Sequence, residues 1–213
     1  MGCNLDATAN GATITVTQDS MKAIREMKKP STEKELRSFI GMFNAIQDHV
    51  KNLHLSLGPL YNLLSKLTKL KKENAKATLK DVWTTNHDDL YNEILKLSTS
   101  ALSIPAYDKE FFIECDASMA GFGCQLYQSD RIIAFASKTL GPAGQRYENA
   151  HRETAAVIFA LTKFAPFIAC SNFPVTVYTD NRVCSFISTS TSPKLRRWKT
   201  VIESYNCKLV HKE

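Results

Sequence analysis

The spacing of apolar residues changes at Pro105, and that change limits what this chain can fold into. Before it, apolar side chains recur at helical intervals. Leu36, Phe39, Ile40 and Phe43 form one stripe behind a capping box that runs from Thr32 to Glu35, so a helix is expected over about 32–46. Gly58-Pro59 is expected to break the next stretch, after which Leu60, Leu63, Leu64 and Leu67 supply a second apolar face. The lysine-rich segment 66–80 reads as a solvated connection. Asn86 then caps a third helix, with Asp88 and Asp89 in its first turn and Leu90, Ile94 and Leu97 facing inward. Residues 20–105 thus read as helical.

From Ala106 the pattern is that of strands. Segments 111–115, 123–127 and 131–137 are short, apolar and separated by turn residues, as in an antiparallel meander. A long helix over about 148–168, a strand at 175–179, a polar-capped helix, a helix over about 194–205 and a last strand at 207–210 complete the order βββαβααβ. Three linked strands followed by alternating helices and strands indicate a mixed five-stranded sheet with helices packed on it, an α/β architecture. The expected division is a mainly helical unit, 1–105, and an α/β unit, 106–213.

With 213 residues, 44% of them hydrophobic, the chain can build its core by packing alone, without disulfides or a structural metal. Its longest uninterrupted apolar run, 155–161, is seven residues, against the roughly 20 that cross a bilayer, so no membrane partner is expected. The N-terminus has no basic segment leading into an apolar one, and Asp6 stands where a myristoylation motif wants Ser or Thr. Six cysteines without metal-ligand spacing read as reduced thiols of an intracellular, cytoplasmic protein. The net charge of +6 is compatible with a polyanionic partner without requiring one.

Three carboxylates stand out by placement. Asp116 ends the first strand of the meander, and small residues follow it. Glu153 lies in the first turns of the long helix, and Val157, Ala160 and Phe164 continue its face, a costly place for an unpaired charge. Asp180 ends the strand Val-Thr-Val-Tyr-Thr-Asp, at the carboxyl end where open sheets bind ligands. If the first and fourth strands are neighbours with the long helix across them, the three acids can converge. Such an oxygen-only cluster suits two Mg²⁺ or Mn²⁺ ions, one activating water and the other stabilising the departing oxygen of a phosphodiester. Taken singly, each acid is more simply a turn, cap or helix-start residue. Glu114, on the same strand face as Asp116, is a rival acid that reads as a solvated strand position.

Beyond these placements, the chain resembles the pol polyprotein of gypsy-type long-terminal-repeat retrotransposons, from the reverse transcriptase thumb and connection into ribonuclease H. The resemblance rests on Lys-Glu-Leu-Arg-Ser-Phe-Ile-Gly (34–41), Ile-Pro-Ala-Tyr-Asp (104–108), Cys-Asp-Ala-Ser (115–118) and Phe-Gly-Cys-Gln-Leu (122–126). It also includes Ile-Ala-Phe-Ala-Ser-Lys-Thr-Leu (133–140), Arg146-Tyr147, Arg152-Glu153 and Tyr-Thr-Asp-Asn (178–181), in that order. It implies a ribonuclease H-like fold, with Asp116, Glu153 and Asp180 as catalytic, metal-binding carboxylates holding two Mg²⁺ or Mn²⁺ ions. It further implies hydrolysis of the RNA strand of an RNA–DNA hybrid, no small-molecule cofactor, and the remaining domains of a pol polyprotein as partners, in the cytoplasm or a virus-like particle.

Lys138, Arg146 and Arg182 are the candidate nucleic-acid contacts, with Lys194, Arg196 and Arg197 as a second basic group. Two departures accompany the resemblance. The family's fourth acid lies in a Gly-x-x-Asn-x-x-Ala-Asp stretch beyond the last strand, whereas this sequence ends at Leu-Val-His-Lys-Glu, and the polymerase palm would precede Met1. A fragment or non-catalytic remnant that keeps the fold and nucleic-acid binding is therefore the alternative expectation.

Overall fold

The computed structural model describes residues 2–8, 11–179 and 192–211. Thr13, Ile14, Thr15 and Val16 carry β-branched side chains or their like and form part of an N-terminal hairpin. In it, β1 (Cys3–Thr8) pairs antiparallel with β2 (Gly11–Val16). A two-residue strand, β3 (Leu102–Ser103), adds to the other side of β2, so a small sheet joins the two ends of the segment 1–105, which was expected to be mainly helical.

Between β2 and β3 run α1 (Gln18–Arg25), α2 (Glu33–Asn44), α3 (Leu53–Glu73) and α4 (Thr85–Leu95). Thr32 caps α2 by accepting from the Glu35 N–H at 3.2 Å, while the Glu35 carboxylate reaches back to the Ser31 N–H at 2.7 Å. The apolar stripe of α2 meets Leu60, Leu63 and Leu67 of α3 and Tyr91 and Ile94 of α4. Phe39 packs against Phe43 and Tyr91 at ring separations of 5.1 and 5.0 Å.

Gly58-Pro59 does not break the chain, contrary to expectation: α3 begins at Leu53 and continues through Pro59. Proline inside a helix costs about 3 kcal/mol. Leu57, Leu60, Leu63 and Leu67 are at most 1% exposed, and burying each contributes about 2 kcal/mol, enough to hold the helix together across it. The helix also extends to Glu73, so half of the lysine-rich connection is helical.

The second sheet has the strand order β6-β5-β4-β7-β8. It consists of β4 (Phe112–Ala117), β5 (Gly121–Gln128), β6 (Arg131–Thr139), β7 (Val175–Thr179) and β8 (Cys207–His211). The first three form the expected meander, and β4 pairs parallel with β7. After the short α5 (Pro142–Gln145), α6 (Asn149–Ile168) crosses one face, and α7 (Pro193–Glu203) packs beside it. Ile113, Val157, Ala160, Phe164 and Val177 form the core between α6 and the sheet. The helix expected between β7 and α7 falls outside the described residues.

Alternation along β4 sets which side chains meet which helix. Ile113 belongs to the core under α6, and the Cys115 thiol points at the Ala156 carbonyl of that helix at 3.9 Å. Glu114 and Asp116 face the other way. They pair directly with Gln125 and Gly123, and Gly123 pairs with Ser137. On this face the start of α3 docks. Ser137 Oγ accepts from the His54 N–H at 2.8 Å, and Asn52 lies against Gly123.

His54 marks this junction. Burial, with the Lys163 charge adding to it, holds its imidazole below the ordinary histidine range. Because the unfolded chain binds the proton more readily, the contribution of His54 to stability is present above the unfolded pKa, near 6.5, and is lost as pH falls below it. Thermal unfolding at pH 7.5 and 5.5 is expected to show a lower midpoint in acid, and His54→Gln should reduce the difference. An identical pH dependence in the two proteins would refute the assignment.

Candidate functional site

The carboxyl end of β4 receives acids from both faces of the sheet. Asp116 is exposed there, and its side chain makes no hydrogen bond or ion pair with the described residues. Glu153 lies on the opposite face, one turn before Ala156 on α6, and is only 8% exposed. Its helical phase is the one read from the sequence, since Val157, Ala160 and Phe164 on the same stripe are all buried.

The Cys115 thiol, on the α6 face, is pushed well above its usual range. The hydrogen-bonded Cys124 thiol is the main cause and burial the next, with the charges of Glu153 and Glu114 adding to it. Cys115 is therefore a neutral packing group, and both acids lie within electrostatic reach of it. The five described cysteines, Cys3, Cys115, Cys124, Cys170 and Cys207, are free thiols.

Glu114 is not the solvated strand residue expected. It is half-buried, and its carboxylate accepts from Gln125 Nε2 at 2.9 Å. Together with Asp116, Gln125 and Gly123 it lines a cleft of about 170 Å³, whose other wall is Lys51 and Asn52 from the start of α3. Neither of those two residues was singled out from the sequence. No local pattern marks them, because only the docking of α3 brings them to the sheet.

Asp180 and Arg182 lie outside the described residues. Tyr178 of β7 pairs in parallel with Glu114 of β4, the last such pair between the two strands among the described residues. Lys138 is exposed on β6, opposite Phe122, which in turn pairs with Ala117, so it is two strands from the end of β4. At the usual strand spacing that is roughly 10 Å. Phe122 stacks toward Phe159 of α6, which puts Lys138 on the Glu153 side of the sheet. Arg146 is exposed just after α5.

Lys194 of α7 is not a free basic residue. Its ammonium sits 3.8 Å from the centre of the Tyr147 ring and 4.7 Å from that of Trp198. Trp198 packs edge-on against Tyr147 and His151 as well, a structural use of the ring.

Comparison with known proteins places this arrangement. Residues 106–205 match the model of the RNase H-like domain found in reverse transcriptase. Those 100 of the chain's 213 residues are similar to that domain.

The chain is 29% identical over 215 residues to the retrovirus-related Pol polyprotein from transposon opus of Drosophila melanogaster, covering 96% of the chain and 21% of that relative. It is 28% identical over 200 residues to the Pol polyprotein from transposon gypsy of the same organism, covering 91% and 19%. It thus spans about a fifth of the length of these relatives. Residues 106–205 and the residues before them also superpose together on the dRH form of a foamy viral protease-reverse transcriptase in complex with double-stranded DNA. The TM-score is 0.78 at 19% identity, over 98% of this chain and 37% of that one. A second structure of that protein, in complex with an RNA/DNA hybrid, gives a TM-score of 0.77 at 19% identity, over 98% and 29%. At these identities the likeness is one of fold.

Among the described residues no three His, Cys, Asp or Glu side chains form a metal-binding group. The donors at the end of β4 nevertheless fit a hard divalent cation. Asp116 offers an exposed carboxylate and Glu153 a buried one, and oxygen donors of this kind suit such an ion. No helix among the described residues is long and apolar enough to cross a membrane.

Proposed function

We propose that this chain is the ribonuclease H portion of a retrotransposon reverse transcriptase, hydrolysing the RNA strand of RNA–DNA hybrids. Residues 1–105 are then the thumb and connection segment, residues 106–213 the ribonuclease H-like unit, and the remaining domains of a pol polyprotein its partners. An intracellular, cytoplasmic setting follows from that assignment. The observation that carries the reading is the parallel pairing of β4 with β7 beneath α6, in a domain of the reverse-transcriptase RNase H-like type.

In this reading Asp116, Glu153 and Asp180 would hold two Mg²⁺ or Mn²⁺ ions at the rim of the sheet. When bound, the ions supply Lewis acidity and water activation for phosphodiester hydrolysis. The chain's own residues do the rest. Asp116 presents its carboxylate on a rigid strand end, and α6 fixes Glu153 by burying the stripe it belongs to. The docked start of α3 closes one side of the adjoining cleft. Lys138, Arg146 and Arg182 are assigned to the phosphates of the hybrid.

The test is incubation of the chain with an end-labelled RNA–DNA hybrid and Mg²⁺ or Mn²⁺. Cleavage of the RNA strand, leaving 5′-phosphate and 3′-hydroxyl ends, is expected. A hybrid bound but left intact under both metals would overturn the nuclease assignment in favour of a non-catalytic remnant.

A further inference from the structure

The cleft beside Asp116 has two walls of opposite character, contributed by the two halves of the chain. One wall is acidic, with Glu114 and Asp116 on β4. The other is Lys51 and Asn52, the residues that lead into α3. Resting on the reading above, we infer that Lys51 and Asn52 are substrate-contacting residues, so that the nucleic-acid site is composite and the helical segment supplies the side that grips the RNA-strand backbone.

Three observations support this. Lys51 is exposed and forms no ion pair with the described residues, although two carboxylates line the same cleft. Its ammonium remains available for a phosphate, which the acidic wall alone would repel.

Asn52 occupies the cap position of α3 in the left-handed conformation, with φ of 56°, yet its side chain makes no capping hydrogen bond. Asn caps ordinarily spend their side-chain oxygen on the helix N–H groups. Here the carboxamide lies against Gly123 of the sheet and makes no hydrogen bond with the described residues. It offers both a donor and an acceptor, which suits a ribose hydroxyl and its neighbouring phosphate.

Gly123 makes that placement possible. A Cβ at this position would lie 1.9 Å from Asn52 Oδ1, so a side chain there would displace the carboxamide. The missing side chain on β5 and the left-handed residue before α3 thus serve the same point in space.

The experiment measures binding rather than turnover, which separates this inference from the nuclease assignment. A fluorescein-labelled 18-base-pair RNA–DNA hybrid and a DNA duplex of the same sequence are titrated with the chain in EDTA, across a series of KCl concentrations. Lys51→Ala is expected to weaken hybrid binding about 3- to 10-fold and to lower the slope of log affinity against log salt by about one, the signature of one lost phosphate contact. Lys51→Arg should restore the slope.

Asn52→Gly keeps the left-handed backbone accessible while deleting the carboxamide, so folding is preserved. It should weaken the hybrid more than the DNA duplex. Unchanged affinity and slope in Lys51→Ala, or equal losses for both duplexes in Asn52→Gly, would overturn the inference even if the chain cleaves. A chain that binds as expected but does not cleave would overturn the nuclease reading and leave the composite surface standing.

Discussion

Asp116→Asn is expected to cut hybrid cleavage at least ~100-fold while shifting the thermal midpoint by no more than about 2 °C. The two halves of that expectation come from different features of one residue. The Asp116 side chain is exposed and makes no hydrogen bond or ion pair with the described residues, so the described fold does not depend on its charge. Asn is nearly isosteric but loses the negative charge that a divalent ion requires, and several kcal/mol of transition-state stabilisation correspond to two or more decades in rate.

Glu153→Gln is the informative contrast. Glu153 is a buried residue of α6, so the substitution acts on packing and stability as well as on chemistry. Loss of activity at position 116 without loss of stability would locate the chemistry at the end of β4. Cleavage that survives Asp116→Asn would remove that acid from the site.

The parts of this molecule legible in the sequence are those whose information is local. The α2 stripe and its Thr32 cap, the three-strand meander, and the phase of α6 that buries Glu153 each lie within one short window, and the structure has them where the spacing puts them. The neighbouring of β4 and β7 entered the sequence reading only as a condition, since the order of elements does not fix which strand of the meander β7 joins, and the structure pairs them in parallel.

What was not legible depends on contacts distant in sequence. The hairpin of β1 and β2 had a signal in Asn10-Gly11 before a β-branched run, but its third strand is two residues long and arrives some 90 residues later. The start of α3 was hidden because Asn52 announces it by a left-handed backbone rather than by a side-chain cap, while Gly58-Pro59 suggests a boundary that the leucine packing overrides. The same concealment kept Lys51 and Asn52 out of any sequence-level site, and Glu114 was misread because its partner Gln125 is set only by strand register.

Gly121→Ala is expected to be the most damaging small substitution in the sheet, costing about 3 kcal/mol and lowering the thermal midpoint by roughly 6–12 °C. Gly121 opens β5 opposite Thr139, where the chain turns back from Ser118 and packs under α3. A Cβ there would lie 2.1 Å from the Lys138 carbonyl oxygen, 2.9 Å from Thr139 Cα and 2.6 Å from Leu55 Cδ2. The first two are backbone atoms of the paired strand. No rotamer change can relieve the overlap, and the β5–β6 ladder must shift. The third belongs to α3, so the shift is transmitted to the docking that brings Lys51 and Asn52 to the cleft. Gly41→Ala provides the control, because Gly41 sits exposed within α2 with nothing within 4 Å of the added carbon. There the methyl group should stabilise the chain by about 0.5–1 kcal/mol through helix propensity. Urea unfolding of the two variants beside the parent chain checks both signs at once, and a Gly121→Ala protein as stable as the parent would contradict the close approach of β5, β6 and α3.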